Sequence, residues 1–321
     1  MIEVGNAART QLLDVRRRTW DAGLMELFGV PRAVLPRIVP STGPFPEVRD
    51  LPPLPNRVPV AGVLGDSHAA LFAHAGWRPG VVKATYGTGS SIMGLADPST
   101  SPAGLCLTIA WDAGVPAYAV EGNVRASGAS LAWLARLVGS TPAELAAIAA
   151  GASSDGVHLV PGFTGLGAPW WDTNAVGLLS GLTLGTGVAE VARAALESIA
   201  FQVEDVVLAI ERVAGQMDEI LADGGPTDNA VLMQLQADTS GRRVKRALAK
   251  NLSALGAAHL AGIGAGMWSW AELESLQRPW ETYQPREPAP SRQRRLASWH
   301  RAVSRSCFRP SSDVNWQTAV P

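Results

Sequence analysis

Apolar and polar positions along this chain read first as a helix, then as a long break, then as short apolar runs alternating with glycine turns. Over residues 10–29, Leu12, Leu13, Val15, Trp20, Leu24 and Leu27 can share one side of a helix, and their spacing predicts one. From "PRAVLPRIVPSTGPFPEV" to "LPPLPNRVPV" recurring prolines deny both helix and ladder, so an extended surface connection is expected. "VAGVLG", residues 60–65, reads as a short buried strand. Asp66 or Ser67 then starts a helix over "HAALFAHAGW", and a hinge is expected near "WRPG".

Beyond Gly80 the texture changes. "VVKATYG" predicts a strand, "GTGSSIMG" a turn into a strand, "AYAVEGNV" a strand and "GASLAWLARLVG" a helix. Residues 187–216 predict one long helix with Val188, Val191, Ala195 and Ile199 on its apolar face. "EILADGG" follows as a strand ending in a glycine turn, and "NAVLMQLQADTSG" as a helix. The basic run "SRQRRLASWHRAVSRS" is expected to be a solvated final helix, and the segment after Cys307 an irregular tail. Strands alternating with helices, with glycine turns at strand ends, define an α/β chain.

Composition narrows the partners. The 321 residues allow two ordinary domains, and a net charge of −1 with 17% charged residues offers no field for a nucleic acid. Cys106 and Cys307 are the two cysteines, far apart and without CxxC spacing, so a disulfide framework or zinc site is not expected and a reducing cytoplasm fits. The start, "MIEVGNAARTQLL", lacks the basic segment and apolar core of a signal peptide, and the most apolar later run is broken by His259 and glycines. A cytoplasmic protein with no membrane or nucleic-acid partner is expected.

Candidate chemistry concentrates at Asp66, Ser67 and His68, adjacent at a predicted helix start. GxxxxGK[ST] is absent, and Ile92 stands where "GTGSSIMG" needs a third glycine for a dinucleotide fingerprint. Each remaining glycine turn, taken singly, is a tight turn by default and a phosphate contact by exception. Gly65-Asp66-Ser67 also suits a serine-esterase nucleophile turn, with Asp155 and His158 as a D-x-x-H pair and His158 the base for Ser67. His68 and His74, six apart, cannot share a helix face as metal ligands do, and His259 reads as a buried, hydrogen-bonded imidazole. Trp170 and Trp171 either stack on a ligand or pack a loop onto the core.

Seven blocks carry a more specific signal when taken in order: "GDSHAALFAHAG", "VKATYGTGSSI", "EGNVRASGASLAWL", "GFTGLGAPWWDTNAVGLLSGLT", "ARAALESIAFQVEDV", "DGGPTDNAVLMQLQAD" and "SALGAAHLAG". Their succession resembles the FGGY carbohydrate kinases, the family of glycerol kinase, xylulokinase and ribulokinase; even "GNAARTQLLDVRRRTWD" resembles a segment of that family. The resemblance implies an actin-like, ribonuclease-H-like fold of two α/β domains around a cleft, and ATP-dependent phosphorylation of a hydroxyl on a small sugar or polyol. It implies Asp66 as general base, with Ser67 beside it at the substrate. It implies Gly87, Thr88 and Gly128 at the nucleotide phosphates, Gly225 and Asn229 at the adenosine, and Mg²⁺ carried by the ATP.

Departures from the family pattern modify this. Ser67 stands where glycerol kinases have a polyol-contacting Gln, and Ala132 where they have a nucleotide-contacting Gln. An Asp-x-Gly-Thr phosphate loop and an Arg-Glu substrate pair are not found in these residues. The expectation is therefore a remnant of the N-terminal kinase domain over 1–76, a complete nucleotide-binding C-terminal domain over 77–306, and a tail over 307–321. Such a truncated chain would have impaired activity and exposed apolar faces, with a homodimer or a complementing N-terminal fragment as the partners to consider. A non-catalytic, degenerate nucleotide-binding domain is the alternative that truncation raises.

Overall fold

The computed structural model describes residues 1–309, so all but the first three residues of the expected tail lie outside the described residues. The chain begins with β1 (Ile2–Glu3), α1 (Val4–Ala8), β2 (Leu13–Asp14), β3 (Thr19–Trp20), α2 (Ala22–Leu27) and β4 (Ile38–Val39). The single helix expected over 10–29 is replaced by a hairpin in which Leu13 pairs with Trp20 and Asp14 with Thr19. Local hydrogen bonding decides this: the Asp14 carboxylate accepts from the N–H groups of Arg16 and Arg17, both at 2.9 Å, and Arg18 turns the chain at φ 57°. Leu12, Leu13 and Trp20 are still buried, but Leu27 remains 74% exposed.

The proline-rich connection is irregular apart from β4 and a short 3₁₀ turn at Arg32–Val34. "VAGVLG" forms no strand. Its Val63 N–H goes to the Ser41 carbonyl at 2.9 Å, and Gly62 lies so close to the helix at Leu252–Gly264 that a Cβ would stand 2.8 Å from the Ala261 nitrogen. A helix, with no free backbone groups to offer, occupies the place of a sheet neighbour.

The rest of the chain runs α3 (Asp66–Ala73), β5 (Val81–Tyr86), β6 (Ser90–Leu95), β7 (Cys106–Asp112), β8 (Pro116–Val124), α4 (Gly128–Val138), α5 (Pro142–Ala150), β9 (His158–Pro161), β10 (Gly177–Ser180) and α6 (Val188–Ala214). It closes with β11 (Glu219–Asp223), α7 (Ala230–Ser240), β12 (Arg243–Ala247), α8 (Leu252–Gly264), α9 (Trp270–Ser275), β13 (Trp280–Tyr283) and α10 (Ala289–Ser306). Seven strands form one sheet in the order β13-β12-β11-β5-β6-β8-β7. β12, β11 and β5 are parallel and the outer pairings antiparallel. The 27-residue α6 buries Val203, Val206, Val207 and Ile210 in one cluster with Val82, Ile92 and Val120 of the sheet. At the β7 edge, Val4, Ala7, Leu13 and Trp20 cover Ile109 and Tyr118, so the first residues pack onto the same sheet.

The final helix differs from the solvated one expected. Trp299 is 1% exposed and stacks on Phe201 at 5.3 Å, and Ala302 and Val303 join it in a cluster with Val160 and Leu166. Only the opposite face is charged, with Arg295 paired to Glu197 and Glu287. Trp170 and Trp171 are tied to the protein by their indole N–H groups, which donate to Asp205 at 3.2 Å and to the Gly104 carbonyl at 2.7 Å, while the two residues stay 40% and 46% exposed.

Candidate functional site

β5 and β11 run parallel and side by side, so their carboxyl ends open at the same rim of the sheet, where α/β proteins place ligands. Gly87 follows β5, and Gly224 and Gly225 follow β11. Gly224 has φ +98°, and a Cβ there would lie 1.9 Å from the Tyr86 carbonyl oxygen, so only glycine lets the two turns meet. Gly128, opening α4, donates its N–H to the Gly87 carbonyl at 3.0 Å, and a Cβ on it would fall 2.7 Å from that oxygen. The Thr88 carbonyl accepts from Ser127 and Ala129 at 2.8 and 3.1 Å. Three glycine turns far apart in the chain thus converge on one seam.

Beside the seam is a cleft of about 550 Å³. One wall carries Asp66 and Ser67 from α3, the floor carries Thr85 and Ser91, and Asp223 to Gly225 with residues 246–253 close the other side. No atom lies within 4 Å of a Cβ built on Gly225, which therefore faces open space. Among the expected site residues, Asp66, Ser67 and Gly225 line the cleft, whereas Gly87, Thr88 and Gly128 form the seam beside it. Asn229 is the N-cap of α7, its Oδ1 accepting from the N–H groups of Val231 at 2.9 Å and Leu232 at 3.1 Å.

Asp66 is the first residue of α3 and is exposed to the cleft. Its Oδ1 accepts from the Ser67 N–H at 2.7 Å, and its carbonyl from the Ser253 hydroxyl at 2.9 Å. The Ser67 hydroxyl accepts from the Lys83 ammonium at 2.8 Å and stands 3.2 Å from the Ser91 hydroxyl. Behind Ser91, Glu121 accepts from Asn123 at 3.0 Å and pairs with Arg9. On the other side His74 meets Asp223 at 2.6 Å and stacks on Trp280 at 5.3 Å. Burial pulls the His74 pKa down; Asp223 is also buried, yet the hydrogen bond and charge of His74 hold its carboxyl below the ordinary range.

The esterase alternative fails on this geometry. Ser67 bonds to Lys83 and Ser91, while His158 lies in another cleft with Asp155, 2.9 Å from the Ser298 hydroxyl. His259 is buried edge-on against Trp268 at 5.4 Å, and its Nδ1 has no partner among the described residues, contrary to the hydrogen-bonded imidazole expected. Among the described residues no group of three or more His, Cys, Asp or Glu is gathered as a metal cage. No helix among them is long and apolar enough to cross a membrane.

Ser91 and Asp223, which line the cleft, and Lys83 and Glu121, which stand behind it, are not among the residues the sequence picks out. Lys83 did have a signal, being a charge in the otherwise apolar strand "VVKATY", and Asp223 had another as the last residue of an apolar strand before two glycines.

His68, behind Asp66, yields a pH prediction. Burial drives its pKa from 6.5 to about 4, opposed by the charges of Glu121 and Asp66 and reinforced by Arg9 and Lys83. Between those two values the unfolded chain binds a proton that the folded chain refuses. Stability is therefore full above about pH 6.5 and falls toward pH 4, by about 3 kcal/mol at 1.36 kcal/mol per unit. Urea unfolding at pH 7.5 and 4.5 checks this: the native chain should lose about 2.5 kcal/mol more than His68→Gln over that interval, and equal losses would refute the assignment.

Comparison with known proteins is consistent with this geometry. The model for the FGGY family of carbohydrate kinases, C-terminal domain, matches residues 82–265, and the N-terminal-domain model of the same family matches residues 1–73. A glycerol kinase from Aromatoleum aromaticum is 44% identical over 319 residues, covering 95% of this chain and 63% of that protein. An apulose kinase from Pectobacterium atrosepticum is 41% identical, covering 97% and 64%. In structure, the chain is similar to Plasmodium falciparum glycerol kinase with ADP at a TM-score of 0.88, with 29% identity and coverage of 96% and 63%. It is similar to xylulose kinase from Rhodospirillum rubrum at a TM-score of 0.80, with 28% identity and coverage of 95% and 64%. The chain thus spans less than two thirds of the length of these relatives.

Proposed function

This chain belongs to the FGGY family of carbohydrate kinases, and on that premise we propose that it transfers the γ-phosphoryl group of ATP to a hydroxyl of a small sugar or polyol. Its α/β architecture is the actin-like ATPase fold of the family's solved members. One observation carries the reading: a single cleft presents an exposed carboxylate, Asp66, on one wall and a glycine seam with open space at Gly225 on the other.

A sugar hydroxyl ionises far above neutral pH, so its attack on phosphorus needs a carboxylate in reach to accept the proton. Asp66 supplies it. The acceptor would lie against the hydroxyls of Ser67 and Ser91, with the attacking oxygen toward the Asp66 carboxylate. Gly87, Thr88 and Gly128 would let the phosphates approach backbone, and Gly225, where a Cβ meets nothing within 4 Å, would face the adenosine. Asn229 supports the adenosine side by holding the start of α7. Mg²⁺, carried by the triphosphate, would neutralise charge on the β- and γ-oxygens. Residues 1–76 would bring the base and residues 77–306 the nucleotide site, in a cytoplasm that supplies ATP.

Calorimetric titration of Mg·ATP and Mg·ADP into the folded 321-residue chain tests this, with Gly225→Trp as the blocking variant. Gly225 lines the cleft and a Cβ there meets nothing within 4 Å, so an indole attached to it would occupy the cleft. Saturable binding that the tryptophan abolishes is the expected result, to be followed by phosphorylation assays on polyols, pentuloses and hexuloses. Binding that the tryptophan leaves untouched, or none at all in a folded sample, would overturn the assignment of this cleft.

A further inference from the structure

We infer that Lys83 is a positioning residue for the proposed transfer: its ammonium grips Ser67 from below and thereby fixes where the Asp66 carboxylate stands in the cleft. The inference rests on the proposed kinase reading and adds a residue to it.

Lys83 sits in the middle of β5, between Leu221 of β11 and Met93 of β6 in register, and is 0% exposed. Both of its hydrogen bonds end on Ser67, at 2.8 Å to the hydroxyl and 3.4 Å to the carbonyl, and it forms no ion pair among the described residues. This is an unfavourable place for a cation. Removing an ammonium from water costs several kcal/mol when no carboxylate touches it, and the start of a helix adds the positive end of the α3 dipole. An apolar side chain of similar length would fill the same space without that cost. Burial accordingly lowers the Lys83 pKa, while Asp223, Glu121 and Asp66 oppose the change. Two of those three carboxylates line the cleft, and the third stands behind Ser91. The charge is thus balanced by the groups of the site rather than by the fold around it.

The mechanical link is short. A strand held on both edges anchors Lys83, Lys83 holds the Ser67 hydroxyl, and the Ser67 N–H holds Asp66 Oδ1 at 2.7 Å. Ser91 at 3.2 Å braces the same hydroxyl from the side. The other charged or titratable groups around this corner are His68 on α3 and His74 at its C-cap, Arg9 paired with Glu121 of β8, and Lys250, Arg246 and Asp228 on the facing side of the cleft.

Rotamer populations of Asp66 read the position directly, whether or not a sample turns over substrate. Three-bond couplings to its carboxyl carbon, measured by NMR on the full chain, report whether χ1 occupies one well or several. The native chain should show one rotamer. Ser67→Ala and Lys83→Met should show averaging, and Ser67→Thr, which keeps the hydroxyl, should restore the single rotamer. With an acceptor that is phosphorylated, kcat should fall about 10²-fold in the first two variants while KM for ATP stays unchanged. A single rotamer persisting in folded Ser67→Ala and Lys83→Met overturns the inference; should Lys83→Met fail to fold, Ser67→Ala against Ser67→Thr decides it. Mg·ATP titration of the same samples separates the two claims. Nucleotide binding without the rotamer effect removes the Lys83 role alone, and the rotamer effect without nucleotide binding removes the kinase reading while leaving the Lys83–Ser67–Asp66 link in place.

Discussion

Gly256→Ala should destabilise the protein by about 3 kcal/mol or more, although alanine is ordinarily the better helix former by about 1 kcal/mol. The reason is the crossing of α3 and α8. A Cβ on Gly256 would lie 1.8 Å from the Ala69 carbonyl oxygen, 2.6 Å from its carbon and 3.1 Å from its Cα. All three are backbone atoms, so no side-chain rotation relieves the overlap, and the helices must separate. Separation strips packing from Leu71, Phe72 and Leu260, which share one buried cluster. Differential scanning calorimetry should show a fall in Tm of about 6 °C or more. Gly151→Ala is the matched control, since a Cβ at that helix end meets nothing within 4 Å, and it should change stability by less than about 0.5 kcal/mol. The same crossing sets the separation of the cleft's sides, with Asp66 on α3 and Leu252 and Ser253 on α8, so moving α8 away should also weaken Mg·ATP binding. An unchanged Tm would mean that the helices lie farther apart than the geometry states.

That crossing illustrates what the sequence could reveal and what it could not. The elements after Gly80 were readable where one face of an element meets the core and the period is unbroken, as in "VVKATYG", "EILADGG" and the long run that forms α6. Residues 10–29 misled because six apolar residues fit a helical spacing while Asp14 and the adjoining arginines bond locally into a turn. α10 misled in the opposite sense. Its basic composition masks the stripe Trp299, Ala302, Val303 and Ser306, whose spacing is that of a buried helix face. β12 carries Arg243, Lys245 and Arg246 and does not look apolar, yet it lies inside the sheet because Glu219 pairs with the first two and Glu281 with the third.

The site divides along the same line. Asp66 and the glycine turns stand in contiguous blocks, each with a local physical reason, and so could be picked out. Lys83, Ser91, Glu121 and Asp223 belong to four different strands, and only the order β11-β5-β6-β8 makes them neighbours. Pairing order is a property of the tertiary structure, so no window of sequence contains it. The same holds for Ser67 of α3, which departs from the glycerol kinase pattern and meets Ser91 of β6 at 3.2 Å. On the proposed reading, acceptor preference would rest on both hydroxyls rather than on Ser67 alone.

Asp66→Asn should lower the rate of phosphoryl transfer by about 10²–10⁴-fold, the range a positioned general base contributes, while leaving nucleotide affinity within about twofold. The substitution is chosen for its geometry. An Asn Oδ1 can accept from the Ser67 N–H as the Asp66 oxygen does at 2.7 Å, so the first turn of α3 and its link to Lys83 persist while the proton acceptor is lost. Asp66 is exposed and Asp223 and Glu121 still face Lys83, so replacing it should lower the Tm only slightly. Binding also lies elsewhere, at the glycine seam and Gly225, which is why Mg·ATP titration and phosphorylation should part company in this variant. The check is kcat with a fixed acceptor, set beside calorimetry on the same sample. Loss of rate with retained binding assigns the proton transfer to Asp66. Equal loss of both would make Asp66 a binding group, and retained rate would move the base to another carboxylate of the cleft, of which Asp223, tied to His74, is the nearest in kind.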